Sequence, residues 1–145
     1  MHDALIFTPD DVDLSRSPLR RGIVEPTHVL GAFNPGLARL PSGNLLLMVR
    51  VAEALSEPVR DGMAHAIRWT QAGYVLDGHP VDRVDMTDPR QFGLRGHAHR
   101  LLALTSLSWL LPVELSPDGT RVIAVHYDRA VEPAASFQDL SLIHI

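Results

Sequence analysis

Cysteine is absent from the 145 residues, which excludes disulfide frameworks and thiolate metal sites. Lysine is absent as well. All thirteen basic residues are arginine, a bias read as the codon usage of a GC-rich gene rather than as chemistry. Excess charge is also missing. The formal net charge is −4, and no basic patch of the kind a nucleic-acid binder carries is evident. The three arginines between Arg16 and Arg21 flank Pro18 and read as a solvated loop. No apolar run approaches the ~20 residues that span a bilayer. The N-terminus has Asp3 and no basic-then-apolar stretch, so no signal peptide is expected. The simplest expectation is a cytoplasmic protein with no membrane and no nucleic-acid partner. What is present is a globular composition, 46% hydrophobic and 21% charged, with length enough for one ordinary domain.

The pattern is mostly β. Ala4–Phe7, Val29–Phe33, Leu45–Val51, Ala64–Trp69, Gly73–Leu76, Arg100–Leu104, Leu107–Val113 and Arg121–Tyr127 are strand candidates. Turn residues separate them, among them Thr8-Pro9-Asp10, Pro41-Ser42-Gly43-Asn44 and Ser116-Pro117-Asp118-Gly119. Leu45–Val51 is nearly unbroken in apolar residues and predicts a strand buried on both faces. Glu53–Gly62 and Asp77–Arg95 read as loops. No long window has helical period. Short strands with Pro, Gly and Asp turns predict an all-β sandwich, barrel or propeller.

Several chemistries can be weighed on residue types alone. Asp10, Asp11 and Asp13 are close together, but the glycine and terminal glutamate of a calcium loop are missing, so they read as a solvated turn. His97 and His99 would share a face on a strand, with His65 or His126 as a third ligand. No standard zinc spacing is present, and no metal site is expected. Ser106 and Ser108 also share a face, without the glycine elbow of a serine hydrolase. There is no Walker loop and no dinucleotide fingerprint.

The last six residues, Leu140-Ser141-Leu142-Ile143-His144-Ile145, are what the transposase adapter CTGTCTCTTATACACATC encodes in one frame. Residues 140–145 are therefore expected to be a sequencing artefact. The gene is expected to continue past Asp139, with residues 1–139 as the N-terminal part of a longer domain.

Three ordered segments carry a family resemblance. The first is Phe33-Asn34-Pro35-Gly36-Leu37-Ala38-Arg39 followed by Leu45-Leu46-Leu47-Met48-Val49-Arg50-Val51-Ala52-Glu53. The second is Leu104-Thr105-Ser106-Leu107-Ser108 with the turn Ser116-Pro117-Asp118-Gly119. The third is Glu132-Pro133 to Phe137-Gln138-Asp139. In this order they resemble glycoside hydrolase family 130, the β-mannoside phosphorylases and hydrolases, over about residues 28 to 139. The resemblance implies the first one to two blades of a five-bladed β-propeller with a sugar site at its central pocket. It implies an oligosaccharide substrate and no cofactor, with inorganic phosphate as co-substrate in a phosphorylase. The full-length protein is a candidate homo-oligomer. The rival reading is a non-catalytic carbohydrate-binding or scaffolding propeller, because fold alone does not settle function.

Residue by residue, Asn34 matches the family's first-blade asparagine, whose amide can donate to and accept from sugar hydroxyls. The alternative is a turn asparagine before Pro35. Arg50 ends the apolar strand and matches the family's strand-end arginine, suited to sugar or phosphate. The alternative is a structural ion pair, for example with Glu53. Both residues are expected at strand ends, facing a shared concavity. The family's general acid lies in a Glu-Asp-Pro-Arg string. Asp88-Pro89-Arg90 resembles it, but Thr87 precedes it and it comes before the Ser-Pro-Asp-Gly turn rather than after. Asp88 is thus the catalytic candidate within this chain, read mainly as a loop residue near the pocket. The true acid is expected beyond Asp139.

Overall fold

The computed structural model describes residues 5–87, 91–94 and 101–132. The described residues contain ten strands, short 3-10 turns and no α-helix, in agreement with the all-β expectation. No helix among them is long and apolar enough to cross a membrane. The strands are β1 (Thr27–Arg39), β2 (Leu45–Leu55), β3 (Val59–Arg60), β4 (Met63–Thr70), β5 (Gly73–Pro80), β6 (Val84–Asp85), β7 (Gln91–Leu94), β8 (Leu101–Leu104), β9 (Ser106–Leu115) and β10 (Val122–Val125). They form three sheets, ordered β1-β2-β9-β10, β3-β4-β5 and β6-β7-β8. The described residues divide into two compact units, one of residues 5–18, 29–52 and 108–132, the other of residues 19–28, 53–87, 91–94 and 101–107.

The first unit holds most of the four-stranded sheet. Period-two alternation decides which side chains enter its core. Along β9, Trp109, Leu111, Val113 and Leu115 are buried while Ser108, Leu110 and Glu114 are only half-buried. Along β2, Val49 and Val51 are buried and Met48, Arg50 and Ala52 are half-buried. The expectation of a strand buried on both faces is therefore corrected: β2 has one core face and one partly open face. Burying a Val, Leu or Trp side chain is worth roughly 1.5–3 kcal/mol, so the core face fixes the register. A one-residue slip would expose all of it. β10 runs antiparallel to β9, with Ala124 opposite Glu114 and Val125 opposite Val113, after a bulge between Val122 and Ala124.

β1 is longer than expected and runs through Pro35. Proline lacks the amide hydrogen that a ladder needs, so it is confined to edge strands, and β1 is an edge of its sheet. Ala4–Phe7 was expected as a strand. None of Leu5, Ile6 and Phe7 lies in a strand: Leu5 is exposed, Ile6 and Phe7 form a bend, and 3-10 turns follow at Pro9–Asp11, Leu14–Arg16 and Pro18–Arg20. The nearby acids serve as caps. Asp11 accepts from Thr8 N at 2.7 Å, and Asp13 accepts from Ser15 N at 3.1 Å. Arg16 is not simply solvated: its guanidinium lies 4.7 Å from the Tyr127 ring centre.

In the second unit β4 and β5 make a hairpin paired from Met63–Pro80 to Thr70–Gly73. Ala64, Ala66, Val84, Phe92 and Ala103 form a buried cluster against which Val81 packs. The expected loops at Glu53–Gly62 and Asp77–Arg95 are corrected in part. Glu53–Leu55 completes β2, Val59–Arg60 is β3, Asp77–Pro80 completes β5, and β6 and β7 follow. Glu53 is fully buried and accepts from Thr27 Oγ1 at 2.6 Å and Arg20 Nη2 at 3.4 Å.

Candidate functional site

The open face of the first unit's sheet carries a row of side chains from three adjacent strands. Arg50 projects from the half-buried side of β2. Its Nε donates to Ser108 Oγ on β9 at 3.3 Å. On the other side its guanidinium carbon lies 5.1 Å from the centre of the Phe33 ring on β1. That is within cation–π range. Among the described residues Arg50 makes no ion pair, and no hydrogen bond engages Nη1 or Nη2. The alternative, a structural ion pair of Arg50 with Glu53, is not found among the described residues, where Arg20 and Thr27 donate to that carboxylate. One edge of the guanidinium thus has a hydrogen-bond partner, while the terminal fork has none among the described residues. A planar fork of this kind suits paired hydrogen bonds to an oxyanion.

Further along the same face is a second polar group. Glu114 accepts from Asn44 Nδ2 at 2.8 Å, and His126 Nε2 lies 3.0 Å from its other oxygen. Asn44 and His126 hold its pKa below the ordinary glutamate value through these hydrogen bonds, against a smaller opposing effect of desolvation. The contacts Arg50–Ser108 and Asn44–Glu114 are each six residues apart on the two segments and run in opposite directions. This is the spacing of one face of an antiparallel pair. The turn after β9 is closed by Asp118, which accepts from Ser116 Oγ at 2.6 Å and Thr120 Oγ1 at 2.8 Å and has its pKa lowered to about 2.

The other expected site residues fare differently. Asn34 lies inside β1 rather than at a strand end, and Arg50 likewise lies inside β2. The side chain of Asn34 is outside the described residues, as are Asp88, His97 and His99 and all of residues 140–145. His126 is engaged by Glu114, and His65 Nδ1 by the Pro58 carbonyl at 3.2 Å. Among the described residues no cluster of three His, Asp or Glu side chains could hold a metal. In the second unit Glu25, Glu57, Arg60 and His65 line a shallow depression with room for about one water, too little for a sugar. Phe33 and the Asn44–Glu114–His126 group were not anticipated. The available signal was the placement of Ser106 and Ser108 on one face, opposite an arginine embedded in an apolar strand.

No protein-family model matches the chain. No curated protein matches it by sequence. Among solved structures, it is similar to β-1,2-mannobiose phosphorylase from Listeria innocua, determined in complex with β-1,2-mannobiose. The identity is 30% and the TM-score 0.55, over 81% of this chain and 31% of that one. The chain thus spans about a third of the length of that protein. The match supports a fold like that of glycoside hydrolase family 130 and a carbohydrate-active enzyme family.

Proposed function

We propose that the chain is part of a β-propeller enzyme that cleaves β-mannosides by phosphorolysis or hydrolysis. The observation that carries this reading is the unengaged fork of Arg50, on a chain with 30% identity to a mannobiose phosphorylase. Arg50 holds the incoming phosphate, or in a hydrolase a sugar hydroxyl, by paired hydrogen bonds. Asn34 donates to and accepts from hydroxyls of the mannosyl unit. A carboxylic acid must protonate the leaving oxygen. That acid is proposed to lie beyond Asp139, with Asp88 as the alternative within this chain. The oligosaccharide is the substrate and phosphate the co-substrate, and no cofactor is required. Five blades, a cytoplasmic location and homo-oligomers of the full-length protein belong to the same proposal.

The test is incubation of the full-length protein, including the acid proposed beyond Asp139, with β-1,2-mannobiose in the presence and absence of inorganic phosphate. Mannose 1-phosphate formed only with phosphate supports a phosphorylase, and mannose formed without it a hydrolase. Saturable binding of the disaccharide without turnover, lost in Arg50→Ala, favours the non-catalytic carbohydrate-binding reading. No binding and no turnover would overturn both.

A further inference from the structure

We infer that Gly31, Phe33 and Ser108 are positioning residues that lock the guanidinium of Arg50 in the orientation that receives an oxyanion. The inference rests on the reading that Arg50 is the oxyanion-binding group. An arginine side chain loses substantial rotamer freedom when it is fixed. An arginine held beforehand gives up less of that freedom on binding. Ser108 fixes one edge of the guanidinium through Nε at 3.3 Å, and Phe33 covers it at 5.1 Å. Neither contact uses the terminal nitrogens, so both are compatible with a bound anion.

Gly31 explains how Phe33 reaches this position. It lies two residues before Phe33 on β1 and so shares its face. A Cβ at position 31 would meet Cδ1 of the Phe33 ring at 2.8 Å and Cε1 at 2.9 Å. The ring therefore occupies the space that any larger residue at 31 would fill. Gly31 has an ordinary backbone conformation, so alanine is tolerated by the chain and acts on the ring. Phe33 is 38% exposed, too open for a purely core role, and its ring pairs with a cation that has no carboxylate partner among the described residues. The row Gly31, Phe33, Arg50 and Ser108 thus forms a clamp across β1, β2 and β9.

The experiment follows the Arg50 Nε–H group by NMR in the full chain and titrates inorganic phosphate into the same samples. In the wild type, the Nε–H signal is expected to exchange slowly with water and to carry a ring-current shift from Phe33. Ser108→Ala should accelerate the exchange, and Ser108→Thr should restore it. Gly31→Ala and Phe33→Leu should reduce the ring-current shift, and Phe33→Tyr should keep it. Phosphate binding should weaken about two- to five-fold in Gly31→Ala and Phe33→Leu, the range of a partly exposed cation–π contact. It should weaken also in Ser108→Ala and be lost in Arg50→Ala. Unchanged Nε–H signals in all three disruptive variants would overturn the clamp. Changed signals with unaltered phosphate affinity, while Arg50→Ala abolishes binding, would overturn the positioning role and leave the Arg50 reading standing. A wild type that binds no phosphate, or an Arg50→Ala variant that binds it equally well, would remove the oxyanion-binding reading of Arg50 and this inference with it.

Discussion

His126 and Asn44 reach the two oxygens of one carboxylate: the imidazole Nε2 lies 3.0 Å from Oε2 of Glu114 and the amide Nδ2 donates to Oε1 at 2.8 Å. The two residues lie on opposite sides of Glu114 in sequence, one before β2 and one after β10. The carboxylate therefore ties the start of β2 to the end of β10 through β9.

This arrangement predicts a titration. Glu114 has its pKa lowered from 4.5, first by Asn44 and then by His126. A depressed carboxylate contributes stability above its unfolded value, and that contribution is lost as pH falls through the folded value. Asn44→Ala should move the Glu114 midpoint back toward 4.5 and reduce the acid-side loss of stability. Carboxyl ¹³C shifts followed against pH measure the midpoint. No movement in the variant would show that the amide does not hold the charge.

A sharper case lies in the turn after β9. Asp118 has a pKa lowered from 3.8 to about 2, chiefly by the Ser116 hydroxyl and then by Thr120. Its stabilising contribution should be complete above about 3.8 and should disappear between there and about 2. Ser116→Ala should raise the Asp118 midpoint more than Thr120→Val does. Both midpoints are readable by NMR titration of the Asp118 carboxyl.

The legible part of the fold was its strand content and its turns. Leu45–Val51 announced β2 through its apolar run, and Ser116-Pro117-Asp118-Gly119 announced the turn into β10. What the sequence hid has physical causes. Val29–Phe33 reads as a short strand, yet β1 continues through Pro35 to Arg39, because an edge position removes the need for the missing amide hydrogen. β3 and β6 have two residues each, too few for any period to show. Arg50 was visible as a charge in an apolar strand. Its partners were not, because Ser108 lies 58 residues away and only strand register brings it alongside. Phe33 looked like an ordinary strand aromatic until Gly31 placed its ring beside a cation.

Glu53 offers a stability test in the second unit. Its side chain is fully buried, whereas Arg20 keeps 27% exposure. Arg20 Nη2 also donates to Thr27 Oγ1 at 2.9 Å, so the three groups form one network. Removing one partner of a buried pair typically costs about 3–5 kcal/mol. The partial exposure of Arg20 places Glu53→Ala near the lower end. Glu53→Gln should cost less, because its carbonyl oxygen can still accept from Thr27. Urea unfolding of the two variants beside the wild type separates these outcomes. Equal losses would mean that the charge, rather than the acceptor, dominates.

Gly22 and Gly73 give the last test. They sit at a close approach of two backbone segments within the second unit. Tyr74 N donates to Arg21 O at 2.8 Å, which brings each glycine against the opposite chain. Gly22 has φ 130° and Gly73 φ 132°, a region that side chains rarely enter. A Cβ at Gly73 would overlap the Arg21 carbonyl oxygen, and one at Gly22 would overlap that of Tyr74. Backbone atoms cannot swing aside as a side chain can, so the pairing itself must open. Gly73→Ala should therefore cost about 1–3 kcal/mol from backbone strain, with the loss of the Tyr74–Arg21 hydrogen bond added. Gly78 provides the control in the same unit. Its φ is ordinary and its nearest neighbour is the flexible methyl of Met63 at 3.2 Å. Gly78→Ala should be nearly neutral. Chemical denaturation should rank Gly73→Ala well below Gly78→Ala in midpoint, and hydrogen exchange should show the Tyr74 amide losing protection only in the former. Matching midpoints would mean that the two segments separate at little cost and that their close approach does not hold the unit together.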